Sequence, residues 1–338
     1  MPRLRHVDCS EPGYARLRRG RGFAYVDEHG RRLDDQAELE RIGALVIPPA
    51  WRDVWICRHR NGHLQAVGTD AAGRRQYLYH SVWREQRDRQ KFDEMLGFAR
   101  GLPRLRTETE RLLDGNGLSR ERVLGFAVTL LDRGLFRIGS EEYADENGGY
   151  GLATLERRHV RLADRALVFD YVGKTGQHLV QRVEGRSLYA IGAELRRRRS
   201  RDPSFLVFRN GTRYVDVRAG DVNAFIKELT GGDFSAKDFR TWHATVLAAA
   251  ALARSTESST AAGRRRAVNQ AAEEVSRALG NTPAVSKSSY IDPRVFDRFR
   301  AGATISPQAA RVPPEGKEES ARARTRRERA VLRLLADS

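Results

Sequence analysis

Over the first eighty residues apolar and polar positions alternate in short runs broken by turn residues, which is the pattern of half-buried strands. The run GFAYVDEHGRRL predicts a hairpin around His29-Gly30, and DVWICRHRNGHLQAVGTDAAGRRQYLYH predicts strands with turns at Asn61-Gly62 and Ala72-Gly73. Between them, DDQAELERIGALVIPPAW reads as a short helix stopped by Pro48-Pro49. After Ser81 the period becomes helical and the charge density rises. VWREQRDRQKFDEMLGFARGL predicts a helix that Pro103 interrupts, and its polar first half suits a linker between two domains. Ser119 is placed to cap the next helix, with Glu121 in its first turn and Val123, Ala127, Leu130 and Leu131 on one face. Residues 159–183 return to strands, as two alternating runs joined at Gly173-Lys174-Thr175-Gly176. FLVFRNGTRYVDV is a further hairpin with an Asn-Gly turn. Helices are expected over 219–230, 236–254, 260–279 and 292–300, the last started by Asp292-Pro293.

This order of elements predicts an α+β protein. A small β-rich domain covers 1–84, a larger, mainly α-helical domain covers 85–302, and a basic C-terminal tail covers 303–338 and ends in a helix, RTRRERAVLRLLA. Of the 338 residues 40% are hydrophobic, enough for a substantial core. Lys and Arg number 61 against 44 Asp and Glu, a net charge of +17 that calls for a polyanion: DNA, RNA or an acidic membrane surface. Two cysteines, Cys9 and Cys57, make neither a disulfide framework nor a zinc site and fit a reducing cytoplasm. The N-terminus has no apolar signal core, and the longest apolar stretch, Ala244 to Ala253, is far shorter than the roughly 20 residues a bilayer needs. A soluble, cytoplasmic protein without a membrane partner is expected.

The tripeptide Gly173-Lys174-Thr175 imitates a phosphate-binding loop, but such a loop needs a glycine where Val168 stands, inside a strand. There is also no dense carboxylate cluster of the kind that holds catalytic magnesium. Neither a nucleotide, a metal nor another cofactor is expected. What stands out instead is a series of polar groups at structural breaks: Arg137 at a helix end, Lys174 at a hairpin tip, Arg240 in SAKDFRTWH, and Asn281 and Tyr290 in LGNTPAVSKSSYIDP. Each has an ordinary explanation alone, as a dipole partner, a solvated lysine or a snorkelling arginine.

Taken in order, the segments PPAWRDVWIC, GRRQYLYH, FRIGSEEY, LATLERRHV, VGKTG, KDFRTW and LGNTPAVSKSSY resemble the poxvirus-like type IB DNA topoisomerases in their bacterial branch, over residues 20–300. The resemblance implies a β-rich N-terminal domain and a helical catalytic domain that close as a clamp around double-stranded DNA, acting as a monomer. It implies relaxation of positive and negative supercoils without ATP or metal, through a nick carried as a 3′-phosphotyrosine. Tyr290 would be the nucleophile, Arg137 and Arg240 would hold the phosphate oxygens, and Lys174 would protonate the leaving 5′ oxygen. Asn281 stands where the poxvirus enzymes carry His. It can donate a hydrogen bond to a phosphate oxygen but cannot shuttle a proton. Arg74, Gln76, Tyr77 and Tyr79 match a strand that lies in the major groove, and Tyr143 and Lys237 match positions near the phosphate.

The chemistry suits these residue types. A neutral phenol is a weak nucleophile, and nearby guanidiniums favour its anion. Guanidiniums keep their charge and bind oxyanions in bidentate fashion. Two alternatives share some of these features. A tyrosine site-specific recombinase has the same constellation, usually with a His where Lys237 stands and an all-helical N-terminal domain. A non-catalytic DNA-binding protein needs only the basic surface.

Overall fold

The computed structural model describes residues 3–139, 149–255, 260–311 and 319–336. The chain divides into two compact units, Met1–Asp93 and Glu94–Ser338.

The first unit is a five-stranded antiparallel sheet in the order β2-β1-β3-β4-β5, built from β1 (Tyr14–Arg19), β2 (Gly22–Val26), β3 (Arg52–Ile56), β4 (Leu64–Thr69) and β5 (Arg75–Tyr79). Helix α1 (Gln36–Ala44) is capped by the Asp35 carboxylate, which accepts from Ala37 N and Glu38 N. It covers one face of the sheet, where Ile42, Val54, Ile56 and Ala66 form the core with Trp51 and Leu78. Val7, Cys57, Leu64 and Val67 pack as a second cluster. Two expectations shift here. The first hairpin turns at Gly20-Arg21, because Gly20 takes a positive φ of 58°, while Asp27–Arg32 closes only the single bridge Val26–Arg32. Helix α1 stops before the prolines, and buried Arg16 ties the following loop down by donating to the carbonyls of Ile47, Pro48 and Trp51.

Helix α2 (Ser81–Leu113) begins in the first unit and ends in the second. Pro103 was expected to break it and does not. Its ring forfeits one backbone hydrogen bond, but Leu102 and Leu105 on either side are 1% exposed, so burial holds the helix through. In the second unit follow α3 (Arg120–Gly134), the three-stranded meander β6 (Val160–Ala163), β7 (Ala166–Val172) and β8 (His178–Glu184), then α4 (Arg186–Arg197) and the hairpin β9 (Val207–Asn210) and β10 (Arg213–Asp216). The remaining helices are α5 (Ala219–Thr230), α6 (Ala236–Arg254), α7 (Ala261–Leu279), α8 (Pro283–Ser289), α9 (Pro293–Arg300) and α10 (Ala321–Ala336). Helix α6 is the spine. Phe239, Trp242, Ala244, Val246, Ala248, Ala249, Ala250 and Leu252 are all buried along it.

The expected tail carries a helix that is built into the unit. In α10, Val331 and Leu335 are buried, and so are the charged Arg327 and Glu328. Charge can be buried there because it is paired. Arg106 of α2 donates to both Asp132 oxygens at 2.9 and 3.1 Å and to both Glu328 oxygens at 2.7 Å. Arg324 donates to Asp132 Oδ1 at 2.5 Å and to its carbonyl at 2.8 Å, and His243 Nε2 lies 3.3 Å from Asp132 Oδ1. Although burial alone would raise it, the pKa of Asp132 is held well below the usual carboxylate range by Arg324, His243 and Arg106. Burial pushes the His243 imidazole down against the pull of Asp132, so the folded state favours the neutral ring.

The sign of the pH dependence follows. Below about pH 6.5 an unfolded histidine binds a proton that folded His243 resists, so stability contributed by this site is lost on acidification. Asp132 and Glu328, both lowered, begin to lose theirs only below about pH 4. The stability gap between the native protein and His243→Gln, measured by urea unfolding, is therefore expected to narrow from pH 7.5 to 5.5. Parallel curves would show that His243 does not titrate against the fold.

Candidate active site

Four of the expected residues meet around the C-terminus of α7. The helix ends at Gly280, whose positive φ of 60° turns the chain left-handed, with Gly280 N donating to Arg277 O at 3.4 Å and Asn281 N to Ser276 O at 3.0 Å. A glycine is needed twice over, since a Cβ there would also stand 2.8 Å from Leu179 Cδ2. This turn leaves the carbonyls of Leu279 and Gly280 facing two arginines. Arg137 Nη2 donates to Gly280 O at 2.9 Å and also to the Asn281 side-chain oxygen. Arg240 Nη2 donates to Leu279 O at 2.8 Å, and Nη1 donates to Leu135 O.

Arg137 follows α3 directly. Leu135 caps that helix in a left-handed conformation, φ 58°, and buried Phe136 anchors the turn. The loop is stapled to the next turn, with Leu152 N donating to Arg137 O at 2.8 Å and Ala153 N to Ile138 O at 2.7 Å. Gly139, φ 78°, allows that approach, since a Cβ would fall 2.8 Å from Gly151 Cα. Arg240 lies in the second turn of α6 and is 4% exposed, with its Cζ 5.4 Å from the centre of the Tyr290 ring. Burial lowers its pKa and the Arg137 charge adds to this, while the Tyr290 hydroxyl acts in the opposite direction.

Tyr290 is the residue at which α8 ends, its N–H donating to Ser286 O at 3.1 Å. The next helix starts two residues later at Asp292, a fully buried cap that accepts from Arg294 N at 2.9 Å. Thr245 of α6 lies between the two, accepting from Asp292 N at 3.1 Å, with its hydroxyl proton shared between Thr241 O at 2.9 Å and Tyr290 O at 3.4 Å. One helix thus fixes both Arg240 and the backbone of Tyr290. The Asn281 side-chain nitrogen and Arg240 Nε are buried and have no hydrogen-bond partner among the described residues. Two donors of the kind that bind an oxyanion are therefore left over at this point.

Lys174 opens a short 3₁₀ turn at the tip of the β7–β8 hairpin and is exposed. That hairpin lies against the same helix end, for Gln177 Oε1 and Leu179 are the neighbours a Cβ at Gly280 would meet. Lys237, one turn before Arg240, is exposed in the first turn of α6. Tyr143 falls outside the described residues. In the first unit, β5 is an edge strand. Tyr77 and Tyr79 are exposed on one face with their rings 6.2 Å apart, while Gln76 and Leu78 point to the other. Arg74 and Gln76 share the Asp70 carboxylate, at 2.9 Å each.

Sequence reading did not single out Thr245, nor the buried Tyr171 and the half-buried Gln181. Tyr171 donates to Gln181 Oε1 at 2.8 Å, and Gln181 Nε2 donates to Gly134 O at 2.5 Å, just before Arg137. Burial raises the Tyr171 phenol to about 12 even though both arginines pull it down. Strand alternation marks Tyr171 as inward, but nothing along the chain says that it faces arginine.

Residues 80–303 match the family model described as the catalytic core of eukaryotic DNA topoisomerase I, and residues 22–70 match the N-terminal domain of bacterial DNA topoisomerase IB. The chain belongs to the type IB DNA topoisomerase family. The DNA topoisomerase 1B of Acanthamoeba polyphaga mimivirus is 29% identical over 286 residues, covering 82% of this chain and 85% of that protein. DNA topoisomerase 1 of Schizosaccharomyces pombe is 27% identical over 186 residues, 54% of this chain and 22% of its own length. The vaccinia virus (strain Copenhagen) DNA topoisomerase 1B is 23% identical over 145 residues, 42% and 46% of the two chains. The type IB topoisomerase is an isomerase acting on DNA, and the recombinase and non-catalytic alternatives fall away. Arg137, Lys174, Arg240, Asn281 and Tyr290 lie inside the matched core, whereas β5 and α10 lie outside both matches.

The helix end at Gly280 gives a direct test. Gly280→Ala forces a left-handed alanine, at about 1–2 kcal/mol, and so does Gly211→Ala in the open β9–β10 turn, φ 59°. Both variants are expected to lose stability in urea, but only Gly280→Ala should slow plasmid relaxation, by about tenfold or more. Equal relaxation rates would mean that the Gly280 turn does not hold the site.

Proposed function

We propose that this type IB topoisomerase relaxes DNA by a tyrosine transesterification carried by Tyr290, Arg137, Arg240, Asn281 and Lys174. The observation that supports it most is the meeting of two guanidiniums, one phenol and the Asn281 amide nitrogen, which has no partner among the described residues, at a single helix end. Tyr290 gives up its proton to solvent, helped by the neighbouring guanidiniums that favour its anion; the phenolate oxygen attacks the phosphorus, and the bond to the 5′ oxygen breaks. The 5′ oxygen leaves with its electron pair and takes a proton from Lys174. Arg137, Arg240 and the Asn281 amide hold the non-bridging oxygens as charge builds on them. The 3′-phosphotyrosine keeps the energy of the phosphoester, so the 5′ hydroxyl can reverse the reaction without fuel. Between the steps the duplex swivels about its intact strand in whichever direction relieves torsion.

In this reading residues 1–84 bind double-stranded DNA, with Arg74 and the β5 residues Gln76, Tyr77 and Tyr79 in the major groove. Residues 85–302 catalyse, and Tyr143 and Lys237 contact the backbone near the reacting phosphate. The two domains close as a clamp, and the monomer acts on the nucleoid in the cytoplasm. The guanidiniums and Lys174 supply the positive charge that a metal brings to other phosphoryl-transfer sites, so neither metal nor nucleotide enters the scheme.

Plasmids of both supercoil signs should be relaxed in excess chelator without ATP. Relaxation should rise and then stop as salt increases, since binding displaces counterions from many phosphates. Tyr290→Phe should bind DNA within a few fold of the native protein and form no covalent adduct on denaturing gels. An adduct from that variant, or a strict magnesium requirement, would falsify the scheme. For Lys174, alanine substitution should slow cleavage about 10²-fold or more on ordinary DNA. It should barely slow cleavage when the bridging 5′ oxygen is replaced by sulfur, because a thiolate leaves unprotonated. Equal slowing on both substrates would take the general-acid role away from Lys174.

A further inference from the structure

The helix past the family-matched segment reaches the site by a continuous path. Asp132 lies in the last turn of α3, three residues before Leu135 and five before Arg137. His243 lies on α6 one turn past Arg240. Two polar contacts among the described residues therefore join α3 to α6: Leu135 O to Arg240, and Asp132 to His243. Arg324 of α10 closes the second of these, donating to the Asp132 carboxylate and carbonyl with His243 Nε2 3.4 Å away. Glu328, one turn on, fixes Arg106 against the same carboxylate.

The ion cluster, not apolar packing, joins α10 to the unit at this end. Beside it opens a cleft of about 700 Å³, lined by Leu135, His243, Val246 and Leu247 and by Arg324 and Thr325 of α10. Two carboxylates, Asp132 and Glu328, balance two guanidiniums, Arg106 and Arg324, around a neutral imidazole. Removing one member leaves a buried charge uncompensated, which forces its neighbours to move.

We infer that α10 is a positioning element for catalysis: Arg324, through Asp132 and His243, holds the ends of α3 and α6 from which Arg137 and Arg240 reach the phosphate. This rests on the clamp role proposed for those two arginines. Displacing a catalytic group by about 1 Å can cost on the order of 10²-fold in rate, so a helix that touches no substrate can still set it.

The test uses the full chain. Arg324→Ala, Arg324→Lys and Val331→Ala are compared by thermal melting, by single-turnover formation of the covalent adduct at 25 °C, and by DNA affinity with Tyr290→Phe added. Val331 is the apolar anchor of the same helix, so its variant loosens α10 without touching Asp132. Arg324→Ala should slow adduct formation about tenfold or more, with affinity within twofold of the native protein. Arg324→Lys, which keeps the charge, should recover part of the rate and serves in its place if the alanine variant does not fold. Val331→Ala should melt earlier yet cleave within twofold of the native rate. The inference is overturned if the Arg324 variants cleave normally, or if all variants slow in step with their melting loss. Arg137→Ala and Arg240→Ala, run alongside, separate the two claims. If they cleave normally the clamp reading fails, and if they are dead while Arg324→Ala is normal only the role of α10 fails.

Discussion

Two guanidiniums brought to one helix end repel each other, and burial strengthens the repulsion, so something must stabilise the pair without cancelling the charge a phosphate needs. Here the backbone does it. Arg240 donates to the carbonyl of Leu279, the last residue of α7, and to that of Leu135, the cap of α3. Two helix C-termini, each carrying partial negative charge on unsatisfied carbonyls, therefore converge on a single side chain. Arg137 takes the next carbonyl along, at Gly280. A partial charge offsets part of the burial cost and leaves net positive charge behind. A carboxylate in the same place would leave none.

The contrast is built into the same unit. Arg106 and Arg324 have full carboxylate partners in Asp132 and Glu328, and their charge is spent on holding helices together. Among the described residues neither Arg137 nor Arg240 has such a partner. Carbonyl partners alone do not mark a site, for Arg16, Arg157 and Arg198 are also held by backbone oxygens. What separates the pair is the Asn281 side chain, whose oxygen accepts from Arg137 while its buried nitrogen has no partner among the described residues.

Periodicity carried most of the helices and hairpins, and it failed where tertiary contacts decide. Pro103 reads as a breaker because its lost hydrogen bond is local, whereas the burial of Leu102 and Leu105 that outweighs it depends on distant residues. The basic stretch after residue 303 reads as a tail because its charges look solvated. Their partners, Asp132 and Arg106, lie some two hundred residues earlier. The short helices α4 and α8 passed unnoticed. Of the candidate site, Arg137, Arg240, Asn281 and Tyr290 were legible because the order of seven short segments carries them. Thr245 and Tyr171 were not, since a threonine and a tyrosine in apolar runs look like core until their partners are known. The orientation of β5 side chains was legible only as alternation, which does not tell that Asp70 grips both Arg74 and Gln76.

Helix α6 shows why the site is organised before any substrate arrives. Along about two turns it presents Arg240 to the candidate site, His243 to the ion cluster and Thr245 to the backbone of Tyr290 and Asp292. The helix is buried among close-packed side chains, and a close-packed interior resists gradual sliding. On the proposed scheme the positions of nucleophile and clamp are thus set by one rigid body. Lys174 is held differently, at the exposed tip of the β7–β8 hairpin, whose Gln177 and Leu179 lie against Gly280 and whose Gln181 donates to Gly134 O. On the proposed scheme the proton donor then comes from a turn between two strands, and not from the buried helix that carries Arg240. The oxyanion must be met by groups already in place, because reorganising them during the reaction would cost part of the stabilisation they provide.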